Sequence, residues 1–283
     1  MGAAMTEPVP IMSVPREAST GRTVAGRVFA LLNAFSQERP ALRLIELAAV
    51  TGMPVSTVHR IATELVELGA LKKERDGVYR IGLRLWELGA LCPAPRTLRE
   101  VSLPFMQDLY EATAENVHLA VLDGDEVLYV ERVWGRRSVD VVTRVGGRAP
   151  LHATGVGKVL LAHASRELQE SVLAGGLKRY TAHTIVMPGI LMRSLQEVRA
   201  TGIARCAEEL SLGTVSVAAP ISGPDRRVVA ALSVVSHTVT HARALTAVEP
   251  ALRLAALSIS RELANGYDGI GTADVTPIRP ATR

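Results

Sequence analysis

Apolar residues recur every three or four positions in the first part of the chain, then turn to alternating or continuous runs, then return to the helical period. In "RTVAGRVFALLNAF", Val24, Val28, Leu31, Leu32 and Phe35 fall at helical spacing, and "ERP" follows as a stop. "ALRLIELAAVTG" predicts a short apolar helix closed by Gly52, a natural C-terminal cap. Pro54 suits the first turn of a third helix. In that helix Val58, Ile61, Ala62, Leu65 and Leu68 lie on one stripe, while Ser56, His59, Arg60 and Thr63 point away from it. Gly69 ends the helix, and "ALKKERDGVYRIG" predicts two short strands around an Asp76-Gly77 turn.

Farther along, "GLRLWELGAL" is apolar on one side through Leu83, Leu85, Trp86, Leu88 and Leu91, and stops at "CPAP", which predicts a linker helix. "LREVSLPFMQDLYEATAEN" predicts another helix, interrupted by Pro104. Strands are expected at "HLAVLDG", "EVLYVERV" and "VDVVTRV", helices from near Thr154 and Pro188, and strands again at "TVSVAAPI" and "VVAALSVVS". "TAVEPALRLAALSISRELAN" closes the ordered chain as a helix. Strands mixed with helices, including neighbouring antiparallel-looking pairs, give an α+β class. The expected divisions are tails at 1–21 and 266–283, a first domain at 22–82, a linker at 83–98 and a second domain at 99–265.

Helix, helix, tight turn, helix, hairpin is the order of a winged helix-turn-helix. A major groove admits one helix, whose exposed N-terminal residues must offer donors to phosphates and base edges. Ser56 and Thr57 can bond phosphate oxygens beside the positive helix end, and His59 and Arg60 can reach bases. Thr63 shares their face, and Lys72, Lys73 and Arg75 make the hairpin basic. The competing reading is a solvated face on an ordinary three-helix domain; the Gly-Met-Pro turn and the basic "DG" hairpin favour DNA.

Charge changes the picture by its location. The 283 residues carry a formal net charge of only +4, but residues 22–80 hold nine Lys/Arg against six acids. Such a first quarter permits a nucleic-acid partner. The length allows two cores, and no apolar run approaches the roughly 18–20 residues that span a bilayer, so a cytoplasmic protein is expected. "MGAAMTEPVPIMSVP" lacks the basic and apolar regions of a secretory signal, and the loose myristoylation pattern through Gly2 and Thr6 is outweighed by three prolines. Two cysteines, Cys92 and Cys206, make no disulfide framework.

"HATGVGK" superficially suggests a phosphate loop, but His152 and Val159 stand where that loop needs Gly and Ser/Thr. What remains is a helix start at Thr154-Gly155-Val156, where free N–H groups and the dipole favour a carboxylate; the plainer alternative is a capped helix packed on a sheet. His237 and His241 have a helical metal spacing but straddle a strand end with no acidic ligand near. His118 and His152 flank apolar runs as core histidines do, and no catalytic signature surrounds Cys206. No cofactor, metal or catalytic residue is expected, and an enzymatic second domain is the weaker alternative, beside a ligand-binding protein with a degenerate DNA domain.

The run "LRLIELAAVTGMPVSTVHRIATELVELGALKKERDGVYRIGLRLWELG" resembles the DNA-binding domain of the IclR family of bacterial transcription regulators. "PLHATGVGKVLLA", "YTAHTI", "GIARCAEELSLGTVSVAAPI" and "AALSVVS" resemble its second domain in the right order, so the likeness covers residues 22–265. It implies a GAF-like effector-binding domain, dimerisation through the linker region, a homodimer or dimer of dimers on an inverted-repeat operator in double-stranded DNA, and a repressor. It also implies an effector pocket between the Thr154 helix start and facing strands. On matching positions, Gly155 and Val156 supply backbone donors, and Cys206 stands where some members have Asp. Thr214, Ser216 and Ser233 are strand positions of the pocket. Cys206 in place of an acid, and Val235 where a Ser can occur, imply a less polar pocket than one for short oxo-acids. A small organic acid or aromatic metabolite is the implied ligand.

Overall fold

The structure, a computed structural model, describes residues 23–36, 38–135, 143–238 and 242–265. The chain divides into two compact units, with the boundary between Cys92 and Pro93. The predicted tails, His241 and most of "VDVVTRV" lie outside the described residues.

The first unit runs α1 (Val24–Leu32), β1 (Ala41–Arg43), α2 (Leu44–Thr51), α3 (Val55–Glu67), β2 (Leu71–Lys73), β3 (Val78–Ile81) and α4 (Leu83–Gly89). Leu31, Leu47, Val58, Ile61, Ala62, Leu65, Leu71 and Tyr79 form its core. Each fully buried aliphatic side chain contributes about 1.5–3 kcal/mol, so this stripe decides which face of α3 turns inward. Leu68, expected on the stripe, is instead 69% exposed, because the helix ends there as Leu68 caps it. Gly52 (φ +66°) closes α2 and starts the tight turn, and Pro54 precedes α3 as its N-cap residue. The hairpin turns at Gly77 (φ +82°), and the three-residue β1 adds a third antiparallel strand in the order β1-β3-β2. Helices, tight turn and hairpin make a winged helix-turn-helix.

The second unit comprises α5 (Pro93–Thr113), β4 (Asn116–Asp123), β5 (Glu126–Val133), β6 (Arg148–Pro150), α6 (Gly155–His163), α7 (Arg166–Ala174), α8 (Pro188–Thr201), β7 (Ala204–Ala207), β8 (Thr214–Ser222), β9 (Val228–His237) and α9 (Ala242–Ala264). The expected linker helix is broken: α4 stops at Gly89, and residues 93–98 belong to α5. Pro93 opens α5, where its missing N–H costs nothing. Pro104 does not interrupt this helix. Val101, Met106 and Leu109 on both sides of Pro104 are buried in the sheet core, and that packing offsets the lost hydrogen bond.

All six strands pair antiparallel in the order β6-β5-β4-β9-β8-β7. One face carries α5 and α9 over Leu119, Val217, Leu232 and Val234; the other carries α6 and α8 over Ala120, Tyr129, Ala218 and Ala231. Side chains alternate between the two faces along each strand. The result is a sheet layer with helices on both faces, within the α+β class that the sequence implied. The second face positions the site.

Candidate functional site

The helix α3 begins without a side-chain cap: Pro54 has none to offer, and its carbonyl receives the Val58 N–H at 3.0 Å. The first N–H groups of the helix therefore point outward beside Ser56 and Thr57. Ser56, His59, Arg60 and Thr63 are exposed on the side opposite the core stripe, and Thr57 is half-buried at the edge of that stripe. Thr63 donates to the His59 carbonyl at 2.9 Å, and Arg60 pairs with Glu64 at 3.1 Å. In the hairpin Lys72, Lys73 and Arg75 are exposed; Lys73 lies over the Tyr79 ring at 5.4 Å, and Arg80 pairs with Glu74. All eight residues expected to face DNA thus lie on the surface of this first unit.

In the second unit, one side chain each from five neighbouring strands lines a single pocket: Tyr129 on β5, His118 on β4, Ser233 on β9, Ser216 on β8 and Cys206 on β7. Adjacent strands lie about 4.8 Å apart, so this row forms a broad floor. Register supports it, since Cys206 faces Ser216, and Ser233 is paired with both Ala218 and His118. The start of α6 forms the wall, and residues 209–211 with Thr214 the rim. The empty space between these walls is about 510 Å³, part of it open to solvent.

Local chemistry aims α6 at this space. Thr154 accepts from Gly157 N at 3.0 Å and donates to the Pro150 carbonyl at 3.1 Å, fixing the helix start. The cap leaves the N–H groups of Gly155 and Val156, which no helical carbonyl can reach, beside the pocket. A Cβ on Gly155 would lie 2.9 Å from Ser216 Oγ, so glycine lets the helix end sit directly over β8. Lys158, the apparent phosphate-loop lysine, is only 1% exposed and pairs with Glu209 at 2.5 Å, so it is not presented to a phosphate.

Burial sets the protonation of the floor. Desolvation, helped by Arg132, lowers the His118 pKa to about 3, so its ring is neutral. It stacks edge-on against Tyr129 at 5.4 Å and contacts the Thr143 hydroxyl at 3.4 Å. Arg132 is held by the Asn116 side chain and the Thr143 carbonyl. Burial also pushes the Cys206 thiol up to about 12, and Cys206 donates to the Ala153 carbonyl at 3.4 Å. That thiol stays protonated, which opposes a nucleophilic role. His152 bonds the Lys178 carbonyl at 2.9 Å, as a structural histidine does.

All six residues expected around an effector, Gly155, Val156, Cys206, Thr214, Ser216 and Ser233, line this one pocket, as does Val235. Sequence reasoning did not pick His118, Tyr129, Thr143 or Glu209 for it. Strand alternation placed the first two near a core but gave no sign of which strands would be neighbours. Among the described residues no group of three or more His, Cys, Asp or Glu could hold a metal ion.

A winged helix-turn-helix joined in one chain to a pocket-bearing α+β domain defines a ligand-responsive type of DNA-binding regulator. Residues 94–261 match the C-terminal domain of the bacterial transcriptional regulator IclR, and residues 24–75 match the IclR helix-turn-helix domain. The chain belongs to the IclR family of bacterial transcriptional regulators. It is 32% identical to the HTH-type transcriptional regulator KipR of Bacillus subtilis over 240 residues, 84% of this chain and 95% of that protein. It is 31% identical to the acetate operon repressor of Salmonella typhimurium, over 81% of this chain and 88% of the relative. Among solved structures, an IclR homolog from Microbacterium hydrocarbonoxydans complexed with 4-hydroxybenzoate shares 34% identity with a TM-score of 0.81, covering 85% of this chain and 98% of that one.

Proposed function

We propose that the protein acts in the cytoplasm as a repressor: α3 and the β2–β3 hairpin hold an inverted-repeat operator, and a small carboxylic acid in the α6 pocket changes the affinity for DNA. It signals by binding rather than turnover. One observation carries the reading: the Gly155 and Val156 N–H groups and the Ser216 and Ser233 hydroxyls converge on one cavity that Ala153, Leu210, Val215 and Val235 line with apolar surface. An anion at a helix start and a few hydroxyls on an apolar wall suit an organic acid, aromatic ones included. The relative solved with 4-hydroxybenzoate supports an aromatic acid, and relatives named as repressors support the sign of control.

On the first unit Ser56 and Thr57 take phosphates beside the uncapped α3 start, His59 and Arg60 read bases with Thr63 beside them, and Lys72, Lys73 and Arg75 follow the backbone. Leu83 and Trp86 on the seven-residue α4 are 80% and 72% exposed, with Leu88 and Leu91 also in solvent. Such an apolar patch supports pairing of two chains through this region, as a homodimer or a dimer of dimers.

Calorimetry with 4-hydroxybenzoate tests the pocket, comparing wild type with Gly155→Pro/Ser216→Ala. The pair removes one N–H and one hydroxyl, and Ser216→Ala deletes the atom that the new Cβ would meet. A loss of at least tenfold in affinity is expected, because each hydrogen bond to a carboxylate is worth about 1.5–3 kcal/mol. A folded variant that binds as tightly as wild type places the ligand elsewhere.

A further inference from the structure

We propose that Glu209 reads a hydrogen-bond donor on the effector, so that the pocket selects acids bearing a hydroxyl or amine hydrogen over plain carboxylic acids. The inference rests on the effector reading above and specifies its ligand. Glu209 lines the pocket at 5% exposure, and its Oε1 is taken by Lys158 Nζ. Its Oε2 is buried and, among the described residues, has no hydrogen-bond partner. Native structures seldom leave a buried carboxylate oxygen unpaired, and the missing donor has an obvious source in a molecule filling the cavity.

The position of Glu209 is set by its surroundings rather than left to a mobile side chain. Glu208 turns the backbone with φ +55°, and its own carboxylate accepts from Gly213 N at 2.7 Å. The Thr181 hydroxyl donates to the Glu208 carbonyl at 2.6 Å, and the Thr184 hydroxyl to the Glu209 carbonyl at 2.7 Å. The nearby Cys206 thiol donates to the Ala153 carbonyl at 3.4 Å and lies beside the Glu209 side chain. An acceptor held this firmly is preorganised for one kind of contact.

Glu209 also differs from the other polar lining groups in what it can tell apart. The hydroxyls of Thr214, Ser216 and Ser233 can donate or accept, so they tolerate either kind of ligand atom. The α6 N–H groups only donate and fit an anion. An ionised carboxylate only accepts. The wall therefore asks for both an acceptor and a donor on one small molecule, a hydroxy- or amino-substituted acid.

Calorimetry on the full chain with benzoate, the three hydroxybenzoates and the three methoxybenzoates tests this. At least one hydroxybenzoate is expected to bind roughly tenfold to hundredfold more tightly than benzoate and than its own methyl ether, which cannot donate. In Glu209→Leu/Lys158→Met, which removes the acceptor together with its ion-pair partner, that preference should fall below about threefold. Should the variant not fold, a crystal structure of wild type with the tightest isomer decides instead: a ligand hydroxyl within hydrogen-bond distance of Glu209 Oε2 is expected. Equal binding of benzoate and every hydroxybenzoate, a preference that survives the double substitution, or a hydroxyl bonded elsewhere overturns the proposal while leaving an acid effector standing. If none of the seven acids binds, the effector reading itself fails and this inference falls with it.

Discussion

His118 and Arg60 show how much a single side chain depends on what surrounds it. His118 sits on the pocket floor with its pKa lowered to about 3 by burial, against 6.5 for an exposed histidine. Between those two values the unfolded chain binds a proton that the folded chain refuses, so this contribution to stability is lost as pH falls through that window. Urea unfolding from pH 7 to pH 4 should therefore give a steeper loss for wild type than for His118→Phe. Matching slopes would mean that the ring protonates in place. Arg60 is tied to Glu64 by an exposed pair one helical turn apart, worth about 0.3–0.5 kcal/mol. A bidentate guanine contact is worth about 1–3 kcal/mol, so DNA can take the guanidinium from its neighbour. Arg60→Ala should cost about that much and relax one position per half-site, whereas Lys72→Ala should weaken all sequences alike and lower the salt slope by about one. An unchanged site preference for Arg60→Ala would show that α3 lies differently in the groove.

At the scale of elements, α3 and α6 were legible for opposite reasons. The period of Val58, Ile61 and Leu65 marked the buried face of α3 without any fold in hand, failing only at Leu68, where the helix stops. The role of α6 could not be read from periodicity, because all eight residues from Gly155 to Ala162 are buried. Its resemblance to a family suggested a ligand there, and the strand order then brought the predicted residues to one wall. The polar α7 and the four-residue β7 gave no pattern strong enough to find, although β7 carries Cys206. His118 and Tyr129 lay in recognised strands, but which strands become neighbours is settled by long-range pairing that local pattern does not encode. The buried Lys158–Glu209 pair that joins α6 to the loop after β7 was equally hidden. Lys158→Met should cost about 3–5 kcal/mol in urea unfolding by stranding a buried carboxylate, and adding Glu209→Leu should recover most of it. Simple additivity of the two losses would contradict this coupling.

The whole chain joins a DNA-reading unit to a sensing unit. A single winged helix covers only part of a site, and pairing two chains doubles the contacts without new chemistry. Sedimentation at micromolar concentration should accordingly show a dimer or larger assembly; monomer alone, with and without DNA, would remove the basis for a symmetric operator. The most direct test of the central claim is selection of bound fragments from sheared genomic DNA by the purified full-length chain at about 0.15 M salt, a concentration that screens much of the non-specific attraction. The account predicts enrichment of one inverted-repeat motif whose half-sites lie on one side of the duplex. Recovery of fragments with no shared motif would contradict it.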